Sequence, residues 1–198
     1  MDGEEMRFDI ALAFSLALLA WSAHADVVAY YGTVDLEARA TTLTAKHHHN
    51  WRERESYVEL YETTSERLLF RQKSPPLTTL WISPDQKLVV GLSNIRLDNP
   101  IQIVVFGADG RVLLERSVRC GDDLATSTCS ESVSNWVYWY REDVPEIEIA
   151  TSGDPRLLEV SAPLHFACFG SDPERIDSAK WREICSGTPE RIRIPLPE

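Results

Sequence analysis

The sequence predicts a mainly β fold, an antiparallel sandwich or open barrel with one short C-terminal helix, and three observations carry that reading. β-Branched and aromatic residues recur in short runs separated by turn residues, from Val27 to Ile194. A strong hairpin signal, Asp109-Gly110, lies between two of these runs. A helix start, Asp172-Pro173, is followed by a glycine at a suitable helix end, Gly187.

The chain opens on a different kind of segment. Ile10 to Ala20 is apolar and uncharged, and Ser22-Ala23-His24-Ala25 follows it after Trp21. An apolar stretch of about a dozen residues before small residues has the order of a secretory signal, whereas a spanning helix needs about 20. Residues 1–25 are therefore expected to be a signal peptide cut after Ala25, and residues 26–198 a single mainly β domain. Asp2, Glu4 and Glu5 are acidic where a signal normally begins basic. Initiation at Met6 would place Met6-Arg7 directly before the apolar run, so Met6 competes with Met1 as the start. The expected location is periplasmic or extracellular, with no stable membrane insertion after cleavage.

The candidate strands follow in order. They are Val27–Tyr31, Ala38–Thr44, Tyr57–Tyr61, Arg67–Gln72, Thr78–Ile82, Lys87–Leu92, Ile101–Phe106 and Arg111–Ser117. After these come Asn135–Tyr140, Glu146–Ala150, Leu157–Val160 and Arg191–Ile194. Asp109-Gly110 supplies the positive φ of a tight turn, and Pro84 in Ser83-Pro84-Asp85-Gln86 is pre-set for a first central turn position. Leu97-Asp98-Asn99-Pro100 is a third turn, because the residue before a proline is pushed out of the helical region. In outline, Leu80 to Val118 resembles one blade of a β-propeller, with its Ser-Pro-Asp turn and its Asp-Gly hairpin. The rest of the chain does not repeat that sequence pattern, so the block reads as a four-strand antiparallel meander. The helix is expected from Pro173 to Cys185, with Ile176, Ala179 and Ile184 as its apolar stripe.

Charge and cysteine content bound the function. The chain carries 31 acidic and 20 basic residues, a net charge of -11, and loss of residues 1–25 leaves -8. That charge repels phosphate backbones, so nucleic acid is excluded as an expected partner. Four cysteines, Cys120, Cys129, Cys168 and Cys185, suit two disulfides in an oxidising compartment. Local pairing, Cys120 with Cys129 and Cys168 with Cys185, is the expectation, because each pair brackets one loop or one helix. Each such staple would contribute about 2 to 3 kcal/mol through the unfolded chain. A zinc site suits the cysteines less well, since no Cys-x-x-Cys spacing occurs.

Two segments are candidate sites. Asn135-Trp136-Val137-Tyr138-Trp139-Tyr140-Arg141, as a strand, lines Trp136, Tyr138 and Tyr140 along one face. Exposed, those rings form a binding surface for a sugar or a protein, because Tyr and Trp join a large apolar area to a polar handle. Buried on both sides, the same run is an ordinary central strand. In His47-His48-His49, extended geometry sends His47 and His49 to one side, where the pair could ligate a metal, and His48 to the other. A solvated loop is the plainer reading of that triplet. Gly121-Asp122-Asp123 matches no calcium-loop spacing, and Arg52-Glu53-Arg54-Glu55 reads as an exposed face.

Nothing in the chain matches a known nucleophile motif, a His-Glu-x-x-His helix or a phosphate-binding glycine loop. His165, flanked by Leu164 and Phe166, reads as a core residue. Three function classes stay open: a binding module for a protein or glycan partner, a metal-binding envelope protein using His47 to His49, and a hydrolase with a dispersed site. The first is preferred, no catalytic residue is assigned, and no cofactor is expected.

Overall fold

A computed structural model describes residues 33–120, 130–131, 136–141, 145–150, 155–162 and 191–197, and the structural statements below concern these residues. They form antiparallel strands throughout, and no helix occurs among them. The helix expected over Pro173–Cys185, the strand expected over Val27–Tyr31, and Cys129, Cys168, Cys185 and His165 lie outside the described residues.

The first sheet is a meander of β1 (Thr33–Arg39), β2 (Leu43–Asn50), β3 (Glu55–Glu62) and β4 (Arg67–Lys73), paired in that order. Its two-residue alternation is sharp. Ala45, Val58 and Leu60 face inward with His47 and His49, while Asp35, Glu37, Lys46 and Glu59 face out. Directly opposed residues across the outer face read Glu37, Lys46, Glu59, Arg71, a row of alternating charge. Arg71 binds Glu55 at 3.1 Å and lies 3.6 Å over the Tyr57 ring. A β-bulge between Leu60 and Tyr61 and the charged Arg67, Arg71 and Lys73 keep edge strand β4 from recruiting another strand.

The second meander comprises β5 (Thr79–Ile82), β6 (Leu88–Leu92), β7 (Ile103–Gly107) and β8 (Val112–Arg116). Every residue of β6 and β7 is buried, as an unbroken apolar run requires when both faces are covered. Alternate residues serve different cores. Val89, Val104 and Phe106 pack against Ala45, Val58 and Leu60 of the first sheet. Leu88, Val90, Leu92, Ile103 and Val105 pack the opposite way, against Val137, Trp139, Leu158, Val160, Ile192 and Ile194.

That opposite layer is built from the pair β9 (Ser130–Glu131) and β10 (Val137–Tyr138) and from a sheet of β11 (Ile147–Ala150), β12 (Leu157–Ser161) and β13 (Arg191–Pro195). Its outer side is also charged. Glu148, Glu159 and Arg193 are direct neighbours across the strands, and Arg191 bonds Glu146 at 3.5 Å as well as Glu148. A doubly buried meander thus lies between two layers that turn charged faces to solvent.

Turns and one glycine set the fit between layers. Gly110 has φ +84°, and its N–H donates to Gly107 O at 2.9 Å, closing the β7–β8 hairpin. Phe70 of β4 lies over that turn, so close that a Cβ on Gly110 would come within 2.9 Å of its ring. At the β5–β6 turn, Gln86 adopts φ +57°, and its side-chain carbonyl accepts both the N–H of Thr42 at 2.8 Å and its hydroxyl at 2.7 Å. The β1–β2 turn is thereby tied to the next sheet. Gly91 leaves room for Leu77, whose Cδ1 lies 2.5 Å from where a glycine-to-alanine Cβ would sit.

The strand expected over Ala38–Thr44 is in fact the end of β1, a turn and the start of β2. Ala40 N–H donates to Leu43 O at 2.8 Å and reverses the chain, although Thr41-Thr42 is β-branched. The His triplet lies in β2 rather than in a solvated loop, because His47 and His49 continue the inward row that begins at Ala45. The meander expected over Leu80 to Val118 is present. Its strand order recurs in β1 to β4, which share none of its turn sequences.

Candidate functional site

The aromatic segment behaves as a strand for only two residues. β10 ends at Tyr138, so the alternation that would place Trp136, Tyr138 and Tyr140 on one face breaks at Trp139. Tyr140 is a correction to the expected surface: it is 1% exposed, and its hydroxyl bonds the hydroxyls of Thr78 at 2.6 Å and Thr79 at 2.9 Å. Trp139 is fully buried beside it and donates its indole N–H to Ser93 O at 2.9 Å. Both polar handles are satisfied indoors, which is what a buried Trp or Tyr requires.

Trp136 and Tyr138 remain near the surface. Tyr138 is 43% exposed, and its ring lies nearly parallel to that of half-buried Trp136, with centroids 6.1 Å apart and planes at 10°. Trp136 pairs with Ile95, and Val137 N–H donates to Asn94 O at 2.8 Å. The segment carrying the two rings is therefore zipped to the loop between β6 and β7.

That loop is held by two buried amides. Asn99 donates from Nδ2 to Ile95 O at 3.0 Å, to Ser93 Oγ at 3.2 Å and to Pro76 O at 3.3 Å, and its Oδ1 accepts from Ile101 N–H. Gln102 donates from Nε2 to Asn99 O at 2.8 Å and to Ile95 O at 3.2 Å, and its Oε1 accepts the Val118 N–H at 2.9 Å. Between the two amides' anchor points, Asp98 is held at φ +52°, a conformation an aspartate tolerates only at some cost. Ser117 donates to Pro100 O and joins the β8 exit to the same loop.

These walls enclose a cleft of about 430 Å³, lined by the loop from Arg96 to Gln102 and by Ser117 to Arg119. Arg96, Asp98 and Arg119 are the charged residues among those that line it. A second cleft, about 500 Å³, runs beside the charged outer face of the first sheet from Glu53 to Tyr57, with Arg71 and Lys73. There Arg71 is committed to Glu55, Glu59 and the Tyr57 ring.

The histidines divide as extended geometry dictates. His48 faces out and meets Asp35, Nδ1 to Oδ1, at 2.7 Å. His47 is 1% exposed and uses both ring nitrogens: Nε2 accepts the Leu77 N–H at 3.1 Å, which leaves Nδ1 to donate to Tyr57 O at 3.1 Å. Burial pushes its pKa down to about 4, against a smaller opposing effect of the Tyr57 carbonyl. His47 thus pins the link between β4 and β5. His49 is 4% exposed, edge-on to Trp51 at 4.2 Å, and neither of its nitrogens has a hydrogen-bond partner among the described residues. Burial lowers its pKa also. The two inward rings are parallel, 6.5 Å apart, and no group of three metal-ligating side chains occurs among the described residues.

Cys120 lies half-buried at the end of the β8 exit, against the larger core, and no described cysteine is free. Sequence reasoning located the turn at Leu97–Pro100 but missed the cleft. Asn99 and Gln102 look like ordinary loop residues until distant carbonyls converge on them, and Arg96 and Arg119 come from different segments. Comparison with protein families, with curated proteins and with solved structures gives no significant match for this chain.

Proposed function

We propose that this chain is an exported, disulfide-bearing binding module that takes its ligand on the Trp136–Tyr138 pair, and that its layers form a β-sandwich rather than an open barrel. One observation carries the binding reading. Tyr138 stays 43% exposed while its neighbours Val137, Trp139 and Tyr140 are buried anchors. A large ring fixed to the surface by a rigid base binds at low entropic cost, and Tyr and Trp suit the apolar faces of sugars. Export is supported by the apolar run Ile10 to Ala20, two disulfides by the even cysteine count, and the local pairing Cys120–Cys129 and Cys168–Cys185 by the short segment that each pair brackets.

Screening the full chain against an oligosaccharide array, with Tyr138→Ala alongside, tests the binding reading. Saccharide binding by the parent that Tyr138→Ala abolishes supports it, and binding that survives the substitution overturns it. Intact mass of protein recovered from the cell envelope or medium tests the rest. A mass beginning at Asp26, with four cysteines blocked until reduction, is expected; a full-length mass with free thiols would refute export and disulfides together.

A further inference from the structure

We propose that His47 and His49 form an acid-opened joint: when the buried imidazoles take up protons, the link between β4 and β5 lets go of the first sheet while both meanders keep their strands. That link, residues 74–78, is a strap with anchors on both sides. Toward the first sheet, Ser74 N–H donates to Ser56 O at 3.1 Å, Ser56 Oγ donates to Pro75 O at 3.1 Å, and Leu77 N–H donates to His47 Nε2 at 3.1 Å. Toward the second, Asn99 Nδ2 donates to Pro76 O at 3.3 Å and Thr78 N–H to Leu92 O at 2.9 Å. The Leu77 side chain is fully buried in the core between the two meanders.

His47 is the one anchor among these that titrates. Its neutral ring accepts at Nε2 and donates at Nδ1, so backbone groups engage both nitrogens and leave neither for a metal ion. An imidazolium has two donors and no acceptor. Protonation therefore sets Nε2–H against Leu77 N–H and orphans a buried backbone donor, which costs more than the bond contributed. His49 adds to the strain. Its ring is parallel to that of His47 with centroids 6.5 Å apart, it is buried without a hydrogen-bond partner among the described residues, and a charge on it would repel one on His47.

Burial disfavours both charges, and the surroundings compensate little. From β1, Asp35 favours a charged His47 only weakly, from the outer face of the sheet, where it binds His48. From β2, His48 opposes both charges. From β3, Glu55 favours a charged His49 weakly through its backbone carbonyl, while its carboxylate binds Arg71. The hairpin end contributes the Trp51 ring, and neither residues 74–78 nor β5 carries a titratable side chain. Opening the strap lets the rings hydrate. With a pKa of about 4 when closed and an ordinary 6.5 when open, lowering the pH from 7 to 4.5 raises the open population roughly 50-fold through His47 alone.

The test is amide hydrogen exchange of the full chain, followed residue by residue by NMR at pH 7 and pH 4.5 and corrected for the intrinsic pH dependence of exchange. Protection of Leu77 N–H is expected to fall at least about tenfold, while the protected amides of β6 and β7 keep theirs. In His47→Gln, whose amide can accept from Leu77 and donate to Tyr57 without ever carrying a charge, the fall should shrink below about threefold. Three results overturn the joint: no fall at Leu77, an equal fall throughout β6 and β7, which would mean that acid loosens the whole fold, or a full fall in His47→Gln. If His47→Gln does not fold, His49→Phe takes its place. Removing one of the two charges should reduce the fall at Leu77, and an undiminished fall overturns the pair as its cause.

Discussion

His47 offers a test of the first interlayer contact through pH. In the folded protein its neutral form is held between Leu77 N–H and Tyr57 O, and its pKa lies near 4, against 6.5 for an unperturbed imidazole. Between these values the unfolded chain binds a proton that the folded one refuses. The stabilisation is therefore complete above about pH 6.5, falls as pH drops, and is gone below about pH 4. At roughly 1.4 kcal/mol per pH unit, the displacement amounts to about 3 kcal/mol. His49, whose pKa burial also lowers, adds a loss of the same sign. Urea denaturation of parent and His47→Gln at several pH values between 4 and 7 isolates the effect. His47→Gln should be less stable at pH 7 and lose stability less steeply, the two curves converging by about 1.4 kcal/mol per unit below pH 6. Parallel curves across that range would refute the buried neutral tautomer. An NMR long-range nitrogen spectrum showing the proton on Nε2 instead of Nδ1 would do the same.

The other predictions concern packing. Tyr140→Phe removes a hydroxyl shared by Thr78 and Thr79 and should cost about 1 to 2 kcal/mol in chemical denaturation; an unchanged midpoint would mean that the tyrosine is not clamped between them. Gly91→Ala drives a methyl into fully buried Leu77 and Val104 and should destabilise by about 1 to 3 kcal/mol, whereas a neutral outcome would place Leu77 elsewhere. Tyr138→Ala, by contrast, should leave the thermal midpoint within about 2 °C of the parent, since its ring is outside the core. A large fall would show that the ring is structural.

Local signals decided much of the strand pattern. The Asp109-Gly110 hairpin, the Pro84 turn and the strands expected over Lys87–Leu92 and Ile101–Phe106 were legible because turn chemistry and β-branched runs are properties of adjacent residues, whereas the burial of β6 and β7 on both faces was not. The same reasoning failed at Ala38–Thr44. There a β-branched pair occupies a turn, and its reversal is stabilised by Gln86, which is remote in sequence. At the histidines the alternation of an extended segment was legible, while the solvated-loop reading fell, because only the packing of the sheets makes the side shared by His47 and His49 the buried one.

Taken alone, the sequence determined a mainly β architecture, an acidic chain, and two segments rich in chemistry. Tertiary structure decided what those segments are. Tyr140 turned inward because β10 stops after two residues and the Thr78 and Thr79 hydroxyls wait for it. His47 became a structural clamp because Leu77 N–H and Tyr57 O flank it. The cleft with Arg96 and Arg119 exists only once two buried amides fasten separate segments together, a condition that depends on partners far apart in the chain and so is written in no local pattern.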